Sequence, residues 1–95
     1  MRAVQTGDLL AAARCLLAVA PRDRAALARQ LLIEAHAADK YVKRLRKLHP
    51  QWGDGSLRGA CRGRDHAFGR ALSDAGYREC HVLVLAALDA RPDAG

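Results

Sequence analysis

Aromatic side chains are scarce in this 95-residue chain: two Tyr, one Trp and one Phe, 4% of the residues. Val, Ile and Thr are also thin, whereas Ala and Leu supply most of a hydrophobic content of 51%. A sheet needs the former group and a helix the latter, so an all-α domain is expected. Cysteine is limited to Cys15, Cys61 and Cys80. That odd number has no CxxC pair, which excludes a zinc ribbon or a disulfide framework and points to reduced thiols in a cytosol. No apolar run approaches the ~18 residues of a membrane span. The stretch from Leu9 to Ala20 ends in Ala18-Val19-Ala20, like a signal-peptide cleavage site, but Asp8 and Arg14 are wrong for its hydrophobic segment. A soluble, cytoplasmic protein of one domain, 1–95, is therefore expected, with roughly 60–65% of the extended-chain surface buried.

Positive charge is abundant and unevenly placed. Residues 1–39 carry five Lys/Arg against four Asp/Glu, 40–70 nine against two, and 71–95 two against four, within a net charge of +6. The excess sits in the middle third, the pattern of a local anion-facing patch. The plainer reading is a solvated face that keeps a small protein in solution.

Helical periodicity organises the chain. Leu9, Ala13, Leu16, Leu17 and Ala20 form one stripe, predicting a first helix over about 8–19, with Thr6 or Asp8 as its cap and Pro21 as its stop. Leu27, Leu31, Ala35, Ala38, Val42, Leu45 and Leu48 predict a second helix from Pro21 or Asp23 to Leu48, about 40 Å long. Its second half narrows to an apolar stripe flanked by Lys40, Lys43, Arg44, Arg46 and Lys47. Cations in a last turn also complement the helix dipole, so this cluster has a structural motive too. Pro50 enforces a stop, Gly53-Asp54-Gly55 supplies a turn, and Ser56 can cap a short helix to about Arg62. Residues 62–72 read as a loop. A last helix, capped by Ser73 or Asp74, runs to about Ala90 before Pro92; Val82–Leu88 is apolar on nearly every side, which marks it as the centre of the core. The architecture expected is a small bundle of three main helices plus one short helix, with residues 91–95 frayed.

Little here carries catalytic chemistry. The Gly53–Gly59 loop lacks a Gly-Lys-Ser/Thr ending, GxGxxG spacing and a preceding strand, so it fails as a nucleotide loop. It reads first as a tight structural turn. A helix start at Ser56 could still attract an anion, with Arg58 and Arg62, and with Lys43 and Lys47 across the turn, completing such a site. Trp52 reads either as a ring that pins the loop or as an anchor for a partner. His36 and Asp39 share a helix face, but two groups fall short of the three or four ligands a metal needs. Cys80 and His81 diverge on a helix, the wrong geometry for a nucleophile and its base, and His81 reads as a core histidine bonded to a neighbour. No enzyme, metal or cofactor is expected. Arg58, Arg62, Arg64 and Arg70 extend the basic run, but no helix-turn-helix accompanies them, so any contact with nucleic acid would follow the phosphates.

At His49-Pro-Gln-Trp-Gly-Asp-Gly-Ser-Leu57 the chain resembles a family of short, Ala/Arg-rich bacterial proteins of alphaproteobacterial type. These share a His-Pro-x-Trp-Gly-x-Gly-Ser/Thr-Leu core, and the likeness extends to Ala37–Tyr41 and to Asp74, Tyr77 and Cys80. It implies a bacterial cytosolic helical protein and transfers no activity and no binding residue. Three roles are compatible with the residues. The first is an interaction protein whose Lys40, Lys43, Arg44, Lys47, Trp52, Arg58 and Arg62 meet an acidic protein surface. The second is an accessory protein that holds nucleic-acid phosphates with the same residues. The third is a homo-oligomer built on spare apolar surface of the second and last helices.

Overall fold

The computed structural model describes residues 1–69 and 71–90. Among them are four α-helices and no strand: α1 (Thr6–Leu17), α2 (Arg24–Leu45), α3 (Leu57–Cys61) and α4 (Ala75–Ala90), with a 3₁₀ turn at Pro21–Asp23. The expected frayed tail, 91–95, and Arg70 lie outside the described residues. Among the described residues no helix is long and apolar enough to cross a membrane.

Helix α1 begins two residues earlier than the apolar stripe implies, because Asp8 acts inside the first turn and not as the cap. Its Oδ2 accepts the Gln5 N–H at 2.8 Å, satisfying one of the free donors of a helix start. At the other end the Arg24 guanidinium takes over the free carbonyls, donating to Leu16 at 2.9 Å and to Leu17 and Val19 at 3.3 Å. A cation there also meets the negative end of the helix dipole. One side chain thus joins the end of α1 to the beginning of α2.

Helix α2 stops at Leu45, three residues short of the expected Leu48. Arg46 adopts the left-handed conformation (φ 56°, ψ 37°) and its N–H returns to Val42 O at 2.8 Å. This is the usual way a helix ends, here without the customary glycine. Lys47 and Leu48 consequently leave the helix, and Leu48 lies in solvent.

Helix α4 is capped by Asp74, whose Oδ1 accepts from Gly76 N at 3.0 Å and Tyr77 N at 3.4 Å. It packs on α1 and α2. Its sequence is apolar nearly all round, yet only Tyr77, Cys80, His81, Val84 and Ala87 are buried; Val82 and Leu85 face outward. One face of α4, not its whole circumference, therefore enters a core made with Ala12, Ala13, Leu16, Leu31, Ala35 and Leu57. Small residues dominate that core, so the helices approach closely and dispersion replaces the bulk that aromatics would supply. The segment after α3 is irregular, as expected, and is fastened to α1 by a hydrogen bond from Ala67 N to Arg14 O at 3.0 Å.

The connection from α2 to α3 rests on one close approach. Gly55 has φ +91°, and a Cβ placed on it would lie 2.6 Å from the Cα of Asp39 on α2. Gly63 has φ +79° but open space around it. Gly55→Val and Gly63→Val should share the conformational cost of about 1–3 kcal/mol, and only the former must also push the loop off α2. Urea unfolding is expected to show Gly55→Val as the more destabilised by at least about 1 kcal/mol; equal losses would contradict this contact.

Candidate functional site

The segment 46–56 folds upon itself before it meets the rest of the molecule. His49 and Gly53 exchange backbone hydrogen bonds at 2.8 and 3.2 Å, and His49 Nδ1 accepts the N–H groups of Gln51 and Trp52 at 3.1 and 3.0 Å. The Trp52 ring stacks parallel on His49 with centroids 4.6 Å apart, and Tyr41 of α2 meets the His49 ring edge-on at 4.8 Å. Trp52 is therefore half-buried in a three-ring stack that fastens the loop to the end of α2.

The carboxylates nearby occupy the positions where an external anion was envisaged. Asp54 Oδ1 accepts from Ser56 N at 3.0 Å and Ser56 Oγ at 2.6 Å, while Oδ2 pairs with Arg2 at 2.9 Å. Ser56 in turn caps α3 by accepting the Gly59 N–H at 2.9 Å. Asp8 Oδ1 takes the Arg58 N–H at 2.9 Å. The start of α3 thus carries an anion supplied by the chain itself, and the helix is only five residues long. Lys43 is likewise engaged within the molecule. Its Nζ lies 3.0 Å from Asp39 Oδ2, which also faces the α-amino group of Met1 at 3.1 Å.

The remaining cations divide into two faces. Lys40 and Arg44, with the stem of Lys43, border a shallow groove floored by Ala37, Tyr41 and Leu45. Lys47 is exposed just beyond the helix end. On the side where α3 meets α1, Arg58 and Arg62 border a cleft of ≈ 250 Å³ together with Arg14, His66, Cys61, Phe68 and Ala11. Arg62 also edges a hollow beside His49, Pro50 and Gly53. Lys40, Arg44, Lys47, Arg58 and Arg62 form no salt bridge among the described residues. Arg64 does, to the buried Glu34 at 2.5 Å. The seven residues expected to act as one patch are thereby split: Lys40, Lys43 and Arg44 stay together, Arg58 and Arg62 form a second group, and Trp52 lines neither cleft.

Arg14 and His66 join the second group without having been singled out from the sequence as ligand-binding. Arg14 showed only as a charge interrupting an apolar helix, which is the one signal available; His66 had none. The Arg14 guanidinium lies over Phe68 at 5.0 Å, and its Nε is buried with no hydrogen-bond partner. Behind the cleft, Cys15 Sγ sits 3.9 Å from both Cys61 O and His66 Nδ1. Contact with the Cys61 thiol draws the Cys15 thiol well below its ordinary value, against the effect of burial, with His66 and Arg64 adding to it; Cys61 is pushed up in return.

His81 is buried, as expected, and packs edge-on against Tyr77 at 4.6 Å, but its Nε2 has no partner. Burial lowers its proton affinity. Among the described residues no three His, Cys, Asp or Glu side chains converge to hold a metal ion.

These features define a small all-α bundle. Over residues 2–88 the chain matches the domain of unknown function DUF7742, and it belongs to that family. Comparison with curated proteins and with solved structures gives no match.

The acidic pairs have a pH consequence. Burial would raise the Asp39 carboxyl, but its hydrogen bonds to Lys43 and the terminal amine, together with their charges, leave it below its ordinary 3.8. Hydrogen bonds from Ser56, then the charge of Arg2, lower Asp54 against the effect of its partial burial. A carboxyl depressed in the folded state stabilises above its unfolded value, and that contribution is lost as pH falls through the folded one. The melting temperature should therefore drop below about pH 4 and do so less steeply in an Asp39→Asn, Asp54→Asn variant. Parallel acid profiles would exclude these two groups.

Proposed function

We propose that this protein is a non-enzymatic interaction module, and that the groove along the second half of α2 receives an acidic, amphipathic segment of another protein. The observation that carries this reading is the arrangement of Ala37, Tyr41 and Leu45, a helical turn apart, with Lys40 and Arg44 along one edge of the strip and in no salt bridge among the described residues. Leu45 is 47% exposed and Leu48 59%. An apolar strip with a basic border complements a helix bearing leucines on one side and carboxylates beside them. Phosphates would engage the cations and leave the strip wet, which favours protein over nucleic acid. A second copy of the same face would bring like charges together, which disfavours a symmetric dimer through it. The resemblance carried by His49–Leu57 supports placing this module in the cytoplasm of an alphaproteobacterial-type cell, with that motif as a hallmark of its family.

The direct test uses a fluorescent synthetic helix with Leu on one face and Glu beside it, compared with single-stranded DNA and RNA of equal charge. Anisotropy should show saturable binding to the peptide that weakens with salt. A Lys40→Glu, Arg44→Glu, Lys47→Glu variant should lose affinity by roughly 10²-fold while keeping its helical circular dichroism. Lys43→Gln should affect stability more than binding, because Lys43 is held by Asp39. Tighter binding to the nucleic acids than to the peptide would replace this reading with the phosphate-binding one.

A further inference from the structure

The second cationic face differs from the α2 groove in shape and in the state of its charges. Three arginines, Arg14, Arg58 and Arg62, converge on one cleft whose lining includes no carboxylate. None of the three forms a salt bridge among the described residues. Like charges gathered in this way repel one another and gain nothing for the fold. Arg14 adds a second cost. Its Nε is buried with no acceptor, so its desolvation is not compensated by any hydrogen bond. The guanidinium lies over the ring of Phe68, itself 76% exposed.

We propose that this cleft, between α1, α3 and the 62–68 segment, binds the phosphate group of a small phosphorylated molecule. Guanidinium forks present paired N–H donors that match the oxygens of a phosphate, and three of them suit its double charge better than the single charge of a carboxylate. Arg14 Nε, which has no exposed surface, meets a phosphate oxygen only as its side chain turns into the cleft. The cleft measures ≈ 250 Å³, below the roughly 300–1,000 Å³ typical of drug-sized ligands. Ala11 and Phe68 offer apolar wall to a short carbon body beside the phosphate. His66 also lines the cleft. The α2 groove plays no part in this site, so the two proposals stand or fall separately.

The test is a titration of the full chain with inorganic phosphate and with glycerol phosphate, each against sodium chloride at matched ionic strength. Binding is followed by calorimetry and by the Arg14 Nε–H resonance in a proton–nitrogen spectrum. Saturable binding is expected, with a displaced Arg14 Nε–H signal. Tighter binding of glycerol phosphate would identify a phosphate ester as the ligand, and equal affinity would identify free phosphate. Arg62→Gln and Arg14→Met should each weaken binding about tenfold or more, while the Lys40→Glu, Arg44→Glu, Lys47→Glu protein binds as the wild type does. Should Arg14→Met unfold, Arg62→Gln and the wild-type Nε–H signal still decide the matter. A response no different from chloride, or an Arg14 Nε–H resonance that stays still, would overturn the proposal.

Discussion

Backbone meets backbone where Gly55 presses on Asp39, and the arrangement of the surface follows from that approach. No side chain fits between the two, so the α2–α3 connection lies against the helix instead of looping away from it. Gly55 O then accepts the Arg2 N–H at 2.9 Å, and Asp54 reaches Arg2 and Ser56. Ser56 in turn is placed to cap α3, and α3 is placed to give its Arg58 N–H to Asp8. Each step supplies a partner for a polar group of the segment, and the rings of Trp52, His49 and Tyr41 add an apolar contact with the end of α2.

The same geometry divides the basic charge. Asp8, Asp39 and Asp54 lie near the loop and the start of α3 and take up the donors and cations closest to them. The cations left over point in two directions: along the outer side of α2, and into the cleft between α1 and α3. A cluster that looks continuous in sequence therefore becomes two faces with different neighbours. One borders an exposed apolar strip, and the other lines an open cleft beside Arg14, whose Nε is buried without a partner. That difference is the ground for giving them different proposed partners.

Much of the fold was legible in the residue pattern. Periodicity located the helices, Pro21 and Asp74 bounded them, and Ser56 was recognisable as a cap because its side chain acts within four residues. The misjudged boundaries have particular causes. Periodicity through Leu48 cannot reveal that Arg46 turns left-handed, since that residue type seldom does so. Nor can it show that only one side of α4 finds packing partners, because Val82 and Leu85 are as apolar as Val84. In the site, grouping Lys43 with Lys40 and Arg44 overlooked Asp39, four residues earlier on the same helix and a readable ion-pair partner. Arg14 and Arg62 are 48 positions apart, and nothing short of the packed helices brings them to one cleft.

If the 49–59 segment is one unit suspended from Asp39, its hydrogen bonds must open together. Native-state hydrogen exchange at the amides of Gly53, Ser56, Arg58 and Gly59 reads this directly, since each donates to a different acceptor along the segment. The account predicts a shared opening free energy for all four, lowered in concert by Gly55→Ala. Fast exchange at Gly53 and Ser56 beside lasting protection at Arg58 and Gly59 would contradict it, showing that α3 is held without the loop.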